Sequence, residues 1–279
     1  MTKSLYNDIV VQRYSCTTIL LKKIGNPMDL SDEDKKFIAE NIPHPNNTPE
    51  RYGEFILPKI QIHDVLCTST KATVKKLLAP LKKRYGHRFF CDIDDSHRQK
   101  SPASIIDKIR RSQAEKGKPG EPEPERYDLN NFAMKMTDLA RFRIVCNFLS
   151  DVDKVAEAIR TSEELTNAFN IKQESSIFLR PKNRKSGGRS IKFVLELKNQ
   201  LGLFLEIQVM TQLQEAWDKK DHFLVYEQRR KFPDKDEEIF PDFLDAKMFS
   251  TAELLFVADD YFEQLRRARE DRKLNEEEK

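Results

Sequence analysis

Two carboxylates, Asp138 and Glu206, stand in runs of residues that otherwise read as core strand. Asp138 opens Asp-Leu-Ala-Arg-Phe-Arg-Ile-Val-Cys, and Glu206 sits inside Leu-Gly-Leu-Phe-Leu-Glu-Ile-Gln-Val. A lone acid is costly to bury unless something pairs with it. Two acids converging near one point would suit a divalent cation.

Cations accompany the acids. Arg98, Lys100, Ser104 and Lys108 surround a helix start at Ser101-Pro102. Ser104 falls in the first turn and Lys108 lies four residues later on the same face. Free backbone N–H groups and the helix dipole add positive potential there, which makes a polyphosphate cradle. The segment has no glycines, so it is not a Walker loop. Arg141 and Arg143 share one face of an extended strand, and an arginine on a sheet face stacks on a purine for roughly 0.5–2 kcal/mol. Strand parity puts Phe204, Glu206 and Gln208 on one face, and Ser190, Lys192 and Val194 on one face of the strand before. If the polar faces agree, Lys192 and Glu206 line one cleft. The segment 180–189 carries Arg180, Lys182, Arg184, Lys185 and Arg189 around two glycines. It can close over phosphates or hold an RNA backbone. Each group also has a plainer reading: a solvated helix start, a surface ion pair, a cross-strand pair worth under about 1 kcal/mol, or a hairpin that is basic for solubility.

The elements that must position these residues follow from periodicity. Residues 1–85 read mostly as helices. One starts at Ser31, and another follows Thr48-Pro49 with proline in its first turn. Val74, Leu77, Leu78 and Leu81 recur at helical spacing, with a kink expected at Pro80 and a stop at Gly86. A short strand covers 87–93 and a helix runs from Ser101 to about Gln113. Residues 115–128, rich in Gly, Pro and charge, form a loop. Strands are expected at 141–148, 176–180, 189–198 and 203–210, the last two joined by a hairpin at 199–202. Helices are expected at 151–162, 211–231 and 246–268, the last with Leu254, Leu255, Val257, Ala258 and Tyr261 inward. The fold class is α+β, with helices flanking a mixed sheet of about five strands. The expected organisation is a helical N-terminal region (1–85), a central α+β domain (86–231), and a C-terminal helix with a charged tail (232–279).

Bulk composition narrows the classes. The chain has 279 residues, 38% hydrophobic and 34% charged, with a net charge of +3. Such balance does not by itself announce a nucleic-acid binder. No run of about 18 apolar residues suggests a membrane span, and the N-terminus lacks the apolar core of a signal peptide. Cys16, Cys67, Cys91 and Cys146 form no Cys-x-x-Cys pair and read as reduced, buried thiols of a cytoplasmic protein, with no zinc spacing.

Taken in order, the segments resemble the synthetase domain of the RelA/SpoT family over about residues 88–231. The family's Arg-x-Lys-Ser-x-x-Ser-Ile-x-x-Lys stands as Arg98, Lys100, Ser101, Ser104, Ile105 and Lys108. Its Asp-Leu/Ile-Ala-Gly-x-Arg stands as Asp138-Leu-Ala-Arg-Phe-Arg143. Its Pro-Lys and Gly-Tyr-x-Ser-Ile/Leu-His stand as Pro181-Lys182 and Gly187-Gly188-Arg189-Ser190-Ile191-Lys192. Its Glu-Ile-Gln-x-Arg-Thr stands as Glu206-Ile-Gln208-Val-Met210-Thr211, followed by His222 and Tyr226.

The resemblance implies a nucleotidyltransferase-like fold and transfer of the β,γ-pyrophosphate of ATP to a 3′-hydroxyl, as in alarmone synthesis. It implies that Arg98 and Arg143 sandwich adenine, that Lys100, Ser104 and Lys108 hold phosphates, and that Asp138 and Glu206 are the catalytic, Mg²⁺-binding pair. Lys182, Arg189, Lys192, Gln208 and His222 fall on the acceptor side. Three departures lie there: Gly188 replaces the tyrosine that stacks on the acceptor base, Lys192 the histidine, and Met210 the arginine. The acceptor is therefore open between GDP or GTP and, as in toxic relatives, the tRNA 3′ end or an adenosine nucleotide. The expected partners are ATP, that acceptor, an antitoxin protein for the toxic form, and further copies in a homo-oligomer. A module that binds nucleotide or RNA without catalysis is the reading from another class. His63-Asp64 superficially matches the histidine-rich hydrolase of long members, but five scattered histidines do not make that domain, and no C-terminal regulatory domain fits.

Overall fold

Period-two alternation in neighbouring strands divides this molecule into a dry side and a wet side. The computed structural model describes residues 49–86, 89, 91–96, 99–114, 126–176, 187–198, 202–226 and 242–277. In chain order these form helix α1 (Pro49–Tyr85), strand β1 (Cys91–Asp94), helix α2 (Pro102–Ala114) and short helix α3 (Phe132–Lys135). Strand β2 (Arg141–Cys146), helix α4 (Leu149–Thr161), helix α5 (Glu163–Ala168) and strands β3 (Phe169–Ser176), β4 (Ile191–Leu197) and β5 (Phe204–Thr211) follow. Helix α6 (Gln212–Asp221) passes into a π-helical turn (His222–Tyr226), and helix α7 (Asp242–Glu277) comes last. The sheet order is β1-β2-β5-β4-β3. The β2–β5 pair is parallel and the other neighbours are antiparallel. This is the mixed five-stranded α+β architecture expected from the sequence.

On the dry side, Phe142 and Ile144 of β2, Phe193 and Leu195 of β4, and Leu205, Ile207 and Val209 of β5 form one core. Leu66, Cys67, Val74 and Leu78 of α1 and Val152, Val155 and Ile159 of α4 cover it. Each such side chain contributes about 1.5–3 kcal/mol on burial. A second cluster joins Ile56 and Ile60 of α1 to Ile105, Ile106 and Ile109 of α2 and to Phe132, Met136 and Leu139. That cluster fixes α2 against the segment leading into β2, and so sets where Lys108 and Asp138 can point.

Helix α1 starts at Pro49 as expected and runs unbroken through Pro58 and Pro80. Leu77, Leu78 and Leu81 pack on the core around Pro80 and hold the helix there. Gly86, at φ +56°, follows its last residue. Three expectations need correcting. Strand β3 at Phe169–Ser176 was not expected; its side chains are mostly exposed, so it lacks the apolar alternation that marks a strand, and the strand expected at 176–180 lies, beyond Ser176, outside the described residues. The helix expected over 211–231 is interrupted: α6 ends at Asp221 and gives way to the π turn. The inward face of α7 is not the one expected, since Leu254 is 70%, Val257 48% and Tyr261 62% exposed. Met248, Ala252, Asp259 and Glu263 face inward instead. The buried acids are satisfied by partners distant in sequence. Thr211 and Gln214 donate to Asp259 at 2.6 and 3.3 Å, and the Ser150 N–H donates to Glu263 at 3.3 Å. The expected helix at Ser31, the loop 115–125 and the basic segment 180–186 lie outside the described residues.

The β4–β5 hairpin turns at Gly202 as expected, with φ +81°. A Cβ there would lie 2.6 Å from the Met134 Cα and 2.8 Å from its carbonyl oxygen. The Gly202 N–H also donates to the Glu196 carboxylate at 3.2 Å. The hairpin thus presses on α3, four residues before Asp138. Gly202→Ala should lower stability by about 1–3 kcal/mol through backbone strain and overlap, read as a shift in the urea midpoint.

Candidate functional site

The wet face of the sheet carries charge in register. Asp94 pairs across to Arg143, Arg143 to Gln208, and Gln208 to Lys192, a row spanning β1, β2, β5 and β4. On the next rung Arg141 lies opposite Glu206. A shallow pocket is lined by Asp94, Arg141, Phe142, Arg143 and Gln208.

Glu206 is 2% exposed. The Lys192 ammonium lies 2.6 Å from Oε2, and Gln208 Nε2 donates to Oε1 at 2.5 Å. The lysine neutralises the carboxylate from a direction that makes no proper hydrogen bond, so Oε2 keeps an unfilled acceptor position. The expected cleft of Lys192 and Glu206 is present, and it is an ion pair. The Glu206 N–H donates to Ala140 O at 2.9 Å, tying this acid to the chain two residues beyond Asp138.

Asp138 is clamped. Lys100 donates to Oδ2 and Lys108 to Oδ1, each at 2.8 Å. The Lys100 backbone N–H donates to Leu139 O at 3.1 Å, and Gln99 bridges Ala140. Lys108 projects from α2, whose isoleucines fill the second cluster, and its ammonium lies 5.3 Å from the Tyr127 ring centre. Ser101 opens the helix: its hydroxyl accepts from the Ser104 N–H at 3.3 Å and donates to Ser104 Oγ at 2.9 Å. Burial would raise the Asp138 carboxyl, but the two ammonium groups outweigh it and hold the group well below the usual carboxylate range.

Arg143 is oriented by Asp218 of α6, at 2.5 Å. Lys219 of the same helix pairs with Glu215 at 2.8 Å and approaches Asp94 at 3.8 Å. Although burial opposes its charge, Asp94 is brought down to about 2 by hydrogen bonds from Ser96, contact with Glu215 and the Lys219 charge. Asp94, Glu215 and Asp218 were missed by sequence reasoning. Asp94 ends a short strand in a run of acids, and the α6 residues meet Arg143 only through the tertiary fold.

The structure thus brings together Lys100, Lys108 and Asp138, and gathers Arg143, Lys192, Glu206 and Gln208 on one face, with Ser104 in the first turn of α2. It does not bring Arg189 to them. That guanidinium is buried 4.0 Å from the centre of the Phe256 ring and pairs with Glu253, both on α7. His222 is exposed where α6 becomes the π turn. Gly188 is buried. Arg98 and Lys182 lie outside the described residues. His63 is buried with Nδ1 3.0 Å from Lys59 O. Cys67, Cys91 and Cys146 are buried and in no disulfide. Among the described residues no three His, Cys, Asp or Glu side chains are grouped to hold a metal ion, and no helix is long and apolar enough to cross a membrane.

Residues 97–231 match a family model described as "Region found in RelA / SpoT proteins". No curated protein matches the chain. Solved structures share its fold. Small alarmone synthetase 1 from Bacillus subtilis bound to its product pppGpp is 19% identical, with a TM-score of 0.56, over 80% of this chain and 99% of that one. A GTP pyrophosphokinase family protein from Streptococcus pneumoniae is 20% identical, with a TM-score of 0.55, over 79% and 95%. Small alarmone synthetase 2 from Bacillus subtilis is 19% identical, with a TM-score of 0.53, over 76% and 98%. At these identities the likeness is one of fold.

Two outcomes follow from the electrostatics. Lys192→Met strands a buried carboxylate and should cost about 3 kcal/mol in urea unfolding, while adding Glu206→Gln should recover part of that loss. Asp138 titrates lower folded than unfolded. Its contribution should be complete above about pH 4 and fall away as pH drops towards its folded value. A stability-against-pH comparison with Asp138→Asn should show the gap between the two chains shrinking only on the acid side.

Proposed function

With residues 97–231 a RelA/SpoT-family region, we propose that the chain is a pyrophosphokinase, moving the β,γ-pyrophosphate of ATP to a 3′-hydroxyl of a nucleotide and releasing AMP. The observation that carries this reading is the placement of the Lys100–Asp138–Lys108 clamp beside Glu206, joined through the Ala140–Glu206 hydrogen bond. Phosphoryl-type transfer needs positioning and charge neutralisation rather than a covalent nucleophile, and this cleft has those means.

The residues fit a divalent cation of the Mg²⁺ type. Such an ion commonly takes one or two carboxylates and completes its shell with phosphate oxygens and water. Asp138 and Glu206 are two carboxylates, and Glu206 Oε2 has an acceptor position to give. Those two would hold the ion, which when bound would neutralise charge on the transferring group. Lys100, Ser104 and Lys108 hold the phosphate chain, and Arg143 stacks on adenine opposite Arg98, with Asp218 fixing its angle. On the acceptor side Lys192, Gln208, Lys182 and His222 are the groups in reach of the sequence pattern, and Arg189 is withdrawn from it. As the 3′-oxygen bonds to the β-phosphorus, the bond from that phosphorus to the bridging oxygen of AMP breaks. Glu206 receives the hydroxyl proton, with Gln208 holding its Oε1. Residues 86–231 are the transferase unit, and α1 and α7 brace it.

A 3′-hydroxyl at the end of tRNA, as in a toxin with its antitoxin, is the second reading. Gly188 offers no ring for an acceptor base to stack on, which favours an acceptor held by its backbone phosphates.

The full chain incubated with γ-labelled ATP and Mg²⁺ should label one member of a panel of GDP, GTP, ADP, ATP and deacylated tRNA. Asp138→Ala and Glu206→Ala should each cut transfer by about 100-fold or more. No label on any acceptor sinks the enzyme reading. The clamp makes a further expectation specific. Metal-free ATP must pull Lys100 and Lys108 away from Asp138, whereas Asp138→Asn frees them. That variant should bind metal-free ATP about tenfold more tightly than the parent by calorimetry, a gain of about 1.4 kcal/mol.

A further inference from the structure

One wall of the pocket on the wet face is acidic, and the proposed reaction gives it no task. Asp94 ends β1 directly opposite Arg143 of β2, and both line the pocket. Opposite charges so placed usually attract into a pair. Here the guanidinium is turned to Asp218 instead, at 2.5 Å. Asp94 Oδ1 accepts the Ser96 N–H at 2.9 Å. Oδ2 lies 3.8 Å from the Lys219 ammonium, beyond hydrogen-bonding range, and that lysine is held by Glu215 at 2.8 Å. Glu215 itself stands against Asp94. The Asp94 carboxyl is ionised at neutral pH, so it can only accept hydrogen bonds, and Oδ2 keeps acceptor capacity beside the pocket.

We propose that Asp94 selects adenine in the donor nucleotide by accepting a hydrogen bond from its 6-amino group. The inference rests on the stacking of that base on Arg143 in the reaction proposed above. Direction along β2 carries the choice of edge. The Lys100–Asp138–Lys108 clamp lies at the start of the strand, where Gln99 bridges Ala140, and Arg143 lies further along it. A nucleotide with its phosphates at the clamp and its base over Arg143 therefore runs along the strand. Asp94 stands level with Arg143 on the neighbouring strand, so it meets the base on a flank and not at the tip. The flank on the imidazole side carries N7 and the 6-substituent. In adenine these are an acceptor and an amine donor, whereas in guanine both are acceptors, as they are in hypoxanthine. An ionised carboxylate accepts from the amine and repels the 6-oxygen. Gln208, across Arg143 on β5, is neutral and gives its amide N–H to Glu206, so the discrimination by charge falls on the β1 side.

Calorimetry on the full chain with Mg²⁺ and the α,β-methylene analogues of ATP and ITP, which bind without transfer, reads the selection directly. The parent chain should favour the adenine analogue by about tenfold or more, the discrimination that one charge-assisted hydrogen bond supplies. Asp94→Asn keeps the shape and an oxygen for Ser96, and its amide N–H can serve a 6-oxo group. In that variant the ratio of the two affinities should fall by about tenfold or more, with the ITP analogue binding more tightly than to the parent. A carboxylate that only braced Lys219 would, on replacement, weaken both analogues alike, and that result overturns the proposal. So does a parent chain that binds both analogues equally, which needs no variant to fold. Transfer is scored apart. Label moving from ATP to an acceptor, with a ratio unmoved in Asp94→Asn, removes this inference and leaves the pyrophosphokinase. A ratio that depends on Asp94 without transfer to any acceptor does the reverse, and a chain that binds neither analogue overturns both.

Discussion

A carboxylate held in the middle of a sheet sets terms for everything near it. Glu206 is almost fully buried, and Lys192 and Gln208 are the groups that make its charge tolerable. Its strand is hydrogen-bonded on both edges, so the acid cannot swing towards water. Solvation of Glu206 must come from side chains on the same face, which is why that face is polar from β1 to β4. The opposite face then carries the apolar burden alone, and α1 and α4 cover it.

The second acid is governed by a different kind of constraint. Asp138 sits outside the regular strand, and what fixes it is a small apolar cluster that has no chemistry of its own. Ile105, Ile106 and Ile109 draw α2 onto Met136 and Leu139, and Lys108 is carried to the carboxylate by that packing. Lys100 comes by the backbone, through its bond to Leu139. Gly202 presses the far hairpin onto α3 and so joins the two arrangements. Electrostatics in this cleft is thus set by hydrophobic contacts and one close backbone approach.

Strand parity was legible because period two admits no compromise: once Leu205 and Ile207 point inward, Glu206 and Gln208 cannot. Ser104 and Lys108 were legible as one helix face from their four-residue spacing, but the closing of Lys100 and Lys108 on Asp138 was not, because it depends on α2 packing against Leu139. Helix α7 was misread because it has apolar residues on one side and buries Asp259, Glu263 and Arg266 on another. Their partners, Thr211, Gln214, Ser150 and Asp151, belong to other elements, so no local pattern announces them. Arg189 belongs to a basic run and reads as a ligand for phosphate. Its buried place between Phe256 and Glu253 depends on a helix folded back from far downstream. Asp218 was invisible for the same reason, and β3 because an exposed edge strand has no apolar rhythm.

The parallel seam between β2 and β5 has a consequence for how the protein comes into being. One acid precedes β2 and the other lies within β5, while β3 and β4 are made between them and take the far side of the sheet. Closing that long loop is slow compared with forming a helix or hairpin. A chain emerging from the ribosome therefore carries Asp138 and its lysines well before it has a β5 for them to meet. The cleft waits on β5, and a chain that stops short of that strand cannot hold it.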